Sequence, residues 1–353
     1  MARTGMQEAL EIMAEQAAGN PRALISVAKA MADTRPDRAT ALARSVLDMT
    51  PPASVAHAAE TLLKEMVPGW HFVIVRDHAR NEAYDRALRR AVTPQSRVLD
   101  IGAGTGLLAM MAARAGAAEV ITCEQNAAVA GAAAEIIEAN GFAERVRLVA
   151  KHSSALDVDD DLGGAVDVLV SEIVSNNMVG QGCLAVMEDS ARWLKPGGRM
   201  IPAAGTIRVA LGWSDVLEKR RMGVVDGFDL SAFNLLERPV REHVAGDPGI
   251  DIRSSAADLM HFDFNSGGPF RPEEARTIVV ADGRPANGVL QWIRLQMDDE
   301  IVYENRPAPG ASSCWAILFY PFRETLDVAE GQAITVAGAH DRESLGIWVE
   351  RGA

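Results

Sequence analysis

Two hydrophobic periods divide the chain. Up to residue 66 the apolar positions recur at helical spacing over about 6–18, 22–33, 37–49 and 53–66, and prolines at 21, 36 and 51 break them at even intervals of 15. Between 95 and about 202 the pattern changes. Short apolar runs at 97–101, 119–123, 145–150, 166–171 and 199–201 alternate with helical stretches near 107–115, 127–140 and 183–194. Such alternation predicts a parallel, doubly wound sheet, with Lys195-Pro-Gly-Gly198 as the turn into its last strand. Beyond Pro202 the helical signal fades, and β-branched or aromatic runs at 206–212, 275–281, 289–298, 313–321 and 332–337 predict a mainly antiparallel β-domain. Three domains are therefore expected: a helical segment at 1–66, an α/β domain at 67–202 and a β-domain at 203–353.

The first of the alternating strands runs into Val98-Leu-Asp-Ile-Gly-Ala-Gly-Thr-Gly-Leu107. Glycines at 102, 104 and 106 let the backbone turn tightly and approach a ligand, and an Ala-rich helix follows. The next strand ends at Glu124, 24 residues after Asp100, an acid placed to hold the two hydroxyls of a ribose. A dinucleotide fingerprint would carry its third glycine at 107, which is Leu. The pattern Gly-x-Gly-x-Gly instead resembles class I methyltransferases, whose donor, S-adenosylmethionine, presents a ribose, an adenine and a charged methionine end.

Composition narrows the setting. With 48% hydrophobic and 24% charged residues the chain reads as globular, and no apolar run approaches the roughly 18 residues of a membrane span. Met1–Gly5 leads directly into a helix bearing Glu8 and Glu11, so no signal peptide is expected. Cys123, Cys183 and Cys314 lie far apart, which suits a cytoplasmic protein and offers no metal site. A net charge of −13 argues against a nucleic-acid partner and favours a neutral or basic substrate.

Further segments extend the resemblance. Asp77-His-Ala-Arg80-Asn-Glu-Ala-Tyr84, His71, Asn140-Gly-Phe142, Lys151-His-Ser-Ser154, Ser171-Glu172 and Val225-Asp-Gly-Phe-Asp-Leu-Ser231 fall in the order and spacing of protein arginine methyltransferases. The stretch from about 70 to 350 is similar to that family, and most to its type III subfamily and a relative bearing amino-terminal tetratricopeptide repeats. The resemblance implies a Rossmann-like, seven-stranded class I methyltransferase domain, a β-barrel domain after it, and a head-to-tail homodimer held by a helical arm at about 214–226. The helices of 1–66 resemble tetratricopeptide repeats, with a shorter period and a poor consensus; a helical cap and a peptide-binding solenoid both remain open.

The resemblance also implies roles. Arg80 would hold the carboxylate of S-adenosylmethionine, because a guanidinium fork pairs bidentately with a planar carboxylate; a plain salt bridge is the alternative. Glu124 would take the ribose, Gly102 and Gly104 would let the backbone pass close to the donor, and Asp100 would orient that loop or meet the donor's amino group. Ser154 falls where the adenine amine would be met, or serves as a helix cap. His71 stands where the family keeps a histidine.

On the acceptor side the sequence departs from the family. Arginine methyltransferases place two glutamates nine residues apart, so that two carboxylates clamp a cationic, planar guanidinium. Here the first is Glu172 and the ninth residue after it is Gln181. The amide brings a donor to face the guanidinium and removes one negative charge, and losing a charged hydrogen bond costs about 1.5–3 kcal/mol, or about tenfold or more in arginine binding. The family's Thr-His-Trp strand element aligns with Ala311, Ser312 and Ser313, which leaves no histidine there; His261, His340 and Trp315 are the candidates to replace parts of it. Three readings follow. The chain methylates a guanidinium of a protein or peptide with Glu172 alone, aided by acids such as Glu188 or Asp189; or it methylates an imidazole, amine, amide or small molecule for which Gln181 is the better partner; or it binds the donor without transfer and uses its helices as an interaction module.

Overall fold

The computed structural model describes residues 2–350. Four helices come first: α1 (Ala2–Gln16), α2 (Pro21–Met31), α3 (Pro36–Asp48) and α4 (Ala53–Glu65). Pro21 and Pro36 stand at first helical positions, where a missing N–H costs nothing, and Asn20 caps α2 by accepting from the amides of Arg22 and Ala23. Next come α5 (Trp70–Ile74) and α6 (His78–Ala91), then β1 (Arg97–Ile101), α7 (Leu107–Arg114), β2 (Glu119–Cys123), α8 (Ala127–Ala139) and β3 (Val146–Val149). The alternation ends with β4 (Val166–Ser171), α9 (Cys183–Ser190) and β5 (Leu194–Ile201).

After β5 the chain turns antiparallel. It forms β6 (Ala204–Ser214), α10 (Asp215–Arg220), the short hairpin β7 (Val224–Val225) and β8 (Phe228–Asp229), β9 (Arg241–His243), β10 (Ile250–Ile252) and β11 (Ala257–Asp263). Then follow β12 (Glu273–Asp282), β13 (Ala286–Gln296), β14 (Val302–Glu304), β15 (Ile317–Leu326), β16 (Glu330–His340) and β17 (Leu345–Val349). No helix among the described residues is long and apolar enough to cross a membrane.

The elements gather into two compact units, one formed by the chain up to Val75 with Thr93–Gly164, the other by Arg76–Val92 with Ala165 onward. In the first, β2 pairs in parallel with both β1 and β3, with Leu99 opposite Ile121 and Ile121 opposite Arg147. Leu24, Ala28, Met31, Val46 and Ala59 are the centre of a core that the four amino-terminal helices share. Arg44 of α3 pairs with Glu135 of α8, and a Cβ at Gly131 would come within 2.9 Å of the Arg44 guanidinium. Asn126 ties the two parts together: its Oδ1 caps α8 and its Nδ2 donates to the Met66 carbonyl at 2.9 Å.

In the second unit β4 and β5 pair in parallel, and a register shift between Val166 and Val168 absorbs Lys195-Pro-Gly-Gly198 as an irregular strand start rather than a free turn. Among the described residues five strands pair in parallel, β1–β3 in one unit and β4–β5 in the other, as the expected Rossmann-like core requires, and the strands after Pro202 pair antiparallel. A seven-stranded antiparallel sheet has the order β10-β6-β13-β15-β9, with β11 also on β6 and β14 on β13, and curls as a half-barrel. A smaller sheet, β12-β16-β17, stands beside it in the chain order. The expected helical arm at 214–226 is helical only over α10. The hairpin β7–β8 and a 3-10 turn at Ser231–Leu236 complete it, because the glycines at 223 and 227 and the positive φ of Asp226 and Gly227 favour a turn.

Gly212 of β6 and Gly288 of β13 lie opposite each other, and the Phe319 ring of β15 fills the space both leave. A Cβ at Gly288 would stand 2.2 Å from the Phe319 ring and 2.6 Å from the Tyr320 carbonyl. The carbonyl cannot yield as a side chain would. Gly288→Ala is therefore expected to lower stability by about 1–3 kcal/mol, read as a fall in the urea midpoint at unchanged slope.

Candidate functional site

In the first unit the glycine loop takes the form its sequence demands. Gly102, Gly104 and Gly106 have φ of +84°, +51° and +77°, a region that side chains with a Cβ rarely enter. The amides of Gly102 and Ala103 donate to the Cys123 carbonyl at 3.0 and 2.8 Å, so the end of β1 is pinned to the end of β2. Gly106 caps α7, and a Cβ there would come within 2.9 Å of Ile137. Nothing lies within 4 Å of a Cβ placed on Gly104, so the backbone there is open to an approaching group.

Glu124 closes this loop. Its buried carboxylate accepts from the Gly104 amide at 3.2 Å and the Asn126 amide at 2.8 Å, one through each oxygen. Each oxygen keeps accepting capacity for a further donor. Asp100 is fully buried at the end of β1, where its Oδ2 accepts from the Thr122 hydroxyl at 2.8 Å. His71 lies in α5; burial lowers its pKa and Glu124 raises it by less, so the ring is neutral at pH 7. Ser154 is exposed in a 3-10 turn, where its hydroxyl lies 2.7 Å from the His152 Nδ1 that caps the turn. The structure thus joins Gly102, Gly104, Asp100, Glu124 and His71, and leaves Ser154 on a separate exposed turn.

In the second unit Arg80 and Glu172 form a buried ion pair. Arg80 Nη2 stands 2.9 Å from Glu172 Oε2, with side chains only 4% and 11% exposed. Arg80 comes from the first turn of α6, and Glu172 directly follows β4. Burial is the largest single influence on Arg80 and lowers its pKa, but the Glu172 carboxylate and its other neighbours together outweigh it, so the guanidinium stays charged. Tyr84, one turn on from Arg80, donates to the Ser171 carbonyl at 3.0 Å and lies under the guanidinium, 5.3 Å from its ring centroid. That bond holds α6 against the residue preceding Glu172. Arg80 Nη1 donates to Asn81, and Arg80 Nε is buried with no hydrogen-bond partner among the described residues.

Asp77 sets the direction of α6. Its Oδ1 caps the helix by accepting from the Arg80 amide at 3.0 Å, and its Oδ2 accepts from the Tyr303 hydroxyl at 2.6 Å and the Cys314 amide at 2.9 Å. Burial raises the carboxyl, but these hydrogen bonds outweigh it and hold Asp77 below the usual carboxylate range. A carboxyl depressed in this way stabilises the fold above its unfolded pKa and loses that contribution as pH falls through its folded value. Burial pushes the Cys314 thiol and the Tyr303 phenol up, so both stay protonated at neutral pH.

Residues 313–316 form a loop that reaches the segment after Glu172. Trp315 Nε1 donates to the Val174 carbonyl at 2.8 Å, and the Ala316 amide donates to Asn176 Oδ1 at 2.9 Å. The first fixes the main chain just after Glu172 and the second the Asn176 side chain beside it. His261 and His340 do not take the missing histidine's part: His261 Nδ1 lies 3.0 Å from the Thr206 hydroxyl, and His340 Nδ1 accepts from the Arg342 amide. Glu188 is engaged by Arg342 and the Phe270 amide, and Asp189 by Arg192, so neither reinforces Glu172. Gln181 is exposed, with a φ of +59° that is uncommon for a residue with a Cβ, and precedes Gly182, the cap of α9. Tyr303, Cys314 and Asn176 carry no sequence signal as site residues, and Ser313 is marked only by its alignment with the family's Thr-His-Trp element; an Asp capping the helix that carries Arg80 is the other available hint.

Comparison with known proteins came to the same chemistry. Residues 77–211 match the ribosomal protein L11 methyltransferase (PrmA) family. The chain is 35% identical over 298 residues to an arginine N(omega)-methyltransferase of Streptomyces achromogenes subsp. streptozoticus, which covers 83% of this chain and 82% of that protein. It is 44% identical over 264 residues to protein arginine N-methyltransferase 7 of Oryza sativa subsp. indica, covering 66% of this chain and 36% of that longer protein. In fold it is similar to a Trypanosoma brucei structure, the PRMT1 enzyme-prozyme heterotetrameric complex with AdoHcy, at a TM-score of 0.70 and 20% identity over 81% of this chain and 94% of that one. With the Streptomyces relative matched over most of both lengths, the chain belongs to the arginine methyltransferase family and is an S-adenosylmethionine-dependent methyltransferase.

Proposed function

We propose that the protein transfers the methyl group of S-adenosylmethionine to a guanidinium nitrogen of an arginine in a protein or peptide. The observation that carries this reading is Glu172, a carboxylate held after β4 by the buried Arg80, with the main chain behind it pinned by Trp315 and Asn176. A fixed carboxylate in a poorly hydrated setting suits a planar cation. S-adenosylmethionine supplies an electrophilic methyl carbon on a sulfonium. Glu172 draws the substrate's positive charge to its far nitrogens and so frees the near nitrogen's lone pair, while Trp315 and Asn176 keep Glu172 in place for an in-line approach. The proton can leave after transfer.

The donor-side residues fit the roles their positions suggest. The unpartnered Nε of Arg80 is suited to the donor's carboxylate, and the spare accepting capacity of Glu124 to ribose hydroxyls. Gly104 leaves the backbone open and the positive φ of Gly102 lets the loop turn, Asp100 orients that loop through the strand end, and His71 is near enough to feel the Glu124 charge and is available as a neutral donor or acceptor. Ser154 is assigned to the adenine amine, with its exposed turn as the competing explanation.

A second reading, an imidazole, amine, amide or small-molecule acceptor, is favoured by one observation: Gln181, neutral and exposed, where the family has its second glutamate. In the wider reading the chain is a cytoplasmic homodimer of three domains. Exposed apolar side chains on the arm, with Phe228, Leu235 and Leu236 each about 70% exposed, support pairing with a second copy. The Arg44–Glu135 pair and the Asn126 bond to Met66 support the helices of 1–66 as a cap on the methyl-donor domain, related to the tetratricopeptide-bearing subfamily.

Labelled S-adenosylmethionine offered with Arg-, His- and Lys-containing peptides, and the label located by mass, separates the acceptors. Label on arginine is expected; label confined to histidine, lysine or a small molecule would replace the first reading by the second. Gln181→Glu should raise arginine methylation by about tenfold or more, the worth of one charged hydrogen bond; an unchanged or lower rate would show that the acceptor site differs more deeply. For the donor, Glu124→Gln should weaken S-adenosylhomocysteine binding by about tenfold on the same scale, and calorimetry that finds unchanged affinity would remove the ribose role.

A further inference from the structure

Asp77 is the carboxylate that caps the helix carrying Arg80. Its carboxylate is buried, and a buried charge without hydrogen bonds is strongly disfavoured. Tyr303 supplies the shortest of its bonds, 2.6 Å, from β14. That strand is firmly placed: Asn305 accepts from the Ile293 amide and donates to the Trp315 carbonyl, and Glu304 accepts from Trp292 and Arg208. The Tyr303 hydroxyl has one proton, and a carboxylate can only accept it. Ser313 Oγ, 2.9 Å from the phenol oxygen, must therefore donate to it, while itself accepting from the Trp315 amide at 3.0 Å. The result is a one-way relay of donors, Ser313 to Tyr303 to Asp77. It ends on the carboxylate whose other oxygen caps α6 at Arg80.

We propose that Tyr303, backed by Ser313, is the positioning residue that sets Arg80 against Glu172, in the place of the histidine that the family carries on the facing strand. This rests on the reading of Arg80 as the donor-carboxylate ligand. Without the phenol, Asp77 Oδ2 keeps only the Cys314 amide and the weak Cys314 thiol donor, the α6 amino terminus is held less firmly, and the ion pair that depends on it loosens. A hydroxyl-to-carboxylate bond at this short distance is among the strong ones, so its loss is not absorbed by the amides alone.

The test is S-adenosylhomocysteine affinity by calorimetry for Tyr303→Phe, Ser313→Ala, Asp77→Asn and Arg80→Lys, with thermal midpoints measured alongside. Tyr303→Phe keeps the ring, whose edge contact with Trp315 has centroids 5.4 Å apart, so the fold is preserved. Affinity is expected to fall about tenfold in Tyr303→Phe and about threefold in Ser313→Ala. Combining Tyr303→Phe with Asp77→Asn should be no worse than the more damaging single change, since both break one link. The acid side of the affinity profile should move upward in Tyr303→Phe, because Asp77, faced by Tyr303, Cys314 and Arg80, loses a donor that favours its charged form. Affinity within twofold of the parent in both Tyr303→Phe and Ser313→Ala, or losses that multiply with Asp77→Asn, would overturn the proposal. Should Tyr303→Phe not fold, the half-buried Ser313 position carries the test by itself. If Arg80→Lys binds the donor normally, the reading of Arg80 fails; if Arg80→Lys loses it and Tyr303→Phe does not, the relay alone fails.

Discussion

The buried ion pair of Arg80 and Glu172 is the interaction on which the second unit is organised. Two charges withdrawn from water are stabilising only when geometry and further hydrogen bonds offset their lost hydration. The structure supplies these from three directions. Asp77 caps the helix that carries Arg80, Tyr84 ties that helix to Ser171, and the 313–316 loop fastens the main chain after Glu172. Removing one member of such a pair leaves the other charge unmet, at a cost of about 3–5 kcal/mol. The pair thus explains why so much of the neighbouring polar structure is directed inward.

Donor and acceptor chemistry are built by different means. The donor loop is a backbone device: three glycines with positive φ and a carboxylate held by two amides, all local in sequence. Glu172, the residue proposed for the acceptor, is a side-chain device next to a segment that a loop more than a hundred residues further on holds in place. This separation lets the acceptor side vary while methyl-donor recognition stays fixed. Gln181, proposed as such a variation, lies on an exposed loop and takes no part in the ion pair.

What could be read in the sequence follows the same division. The ranges of β1, β2 and β4 match their apolar runs to the residue, and α7 and α8 to within one, because buried parallel strands and Ala-rich helices declare themselves locally. Strands β9, β10 and β14 are three residues long and carry no period, and β17 has a glycine at its second position. The expected strand at 313–321 begins only at Ile317, since Ser313 and Trp315 spend their polar groups on loop contacts. The glycine loop, Glu124, Arg80 and Glu172 were legible as spacings. The Tyr303–Asp77 bond joins positions 226 apart, and no local pattern encodes it.

The most direct measurement of the central claim is single-turnover transfer to an arginine peptide, together with urea unfolding, for Glu172→Gln. If Glu172 both receives the guanidinium and neutralises Arg80, the variant loses transfer by about a hundredfold or more, as expected when a charged transition-state contact is removed, and its stability falls by about 3 kcal/mol as Arg80 is left unpaired. Transfer retained at the parent rate in a protein of parent stability would contradict the account.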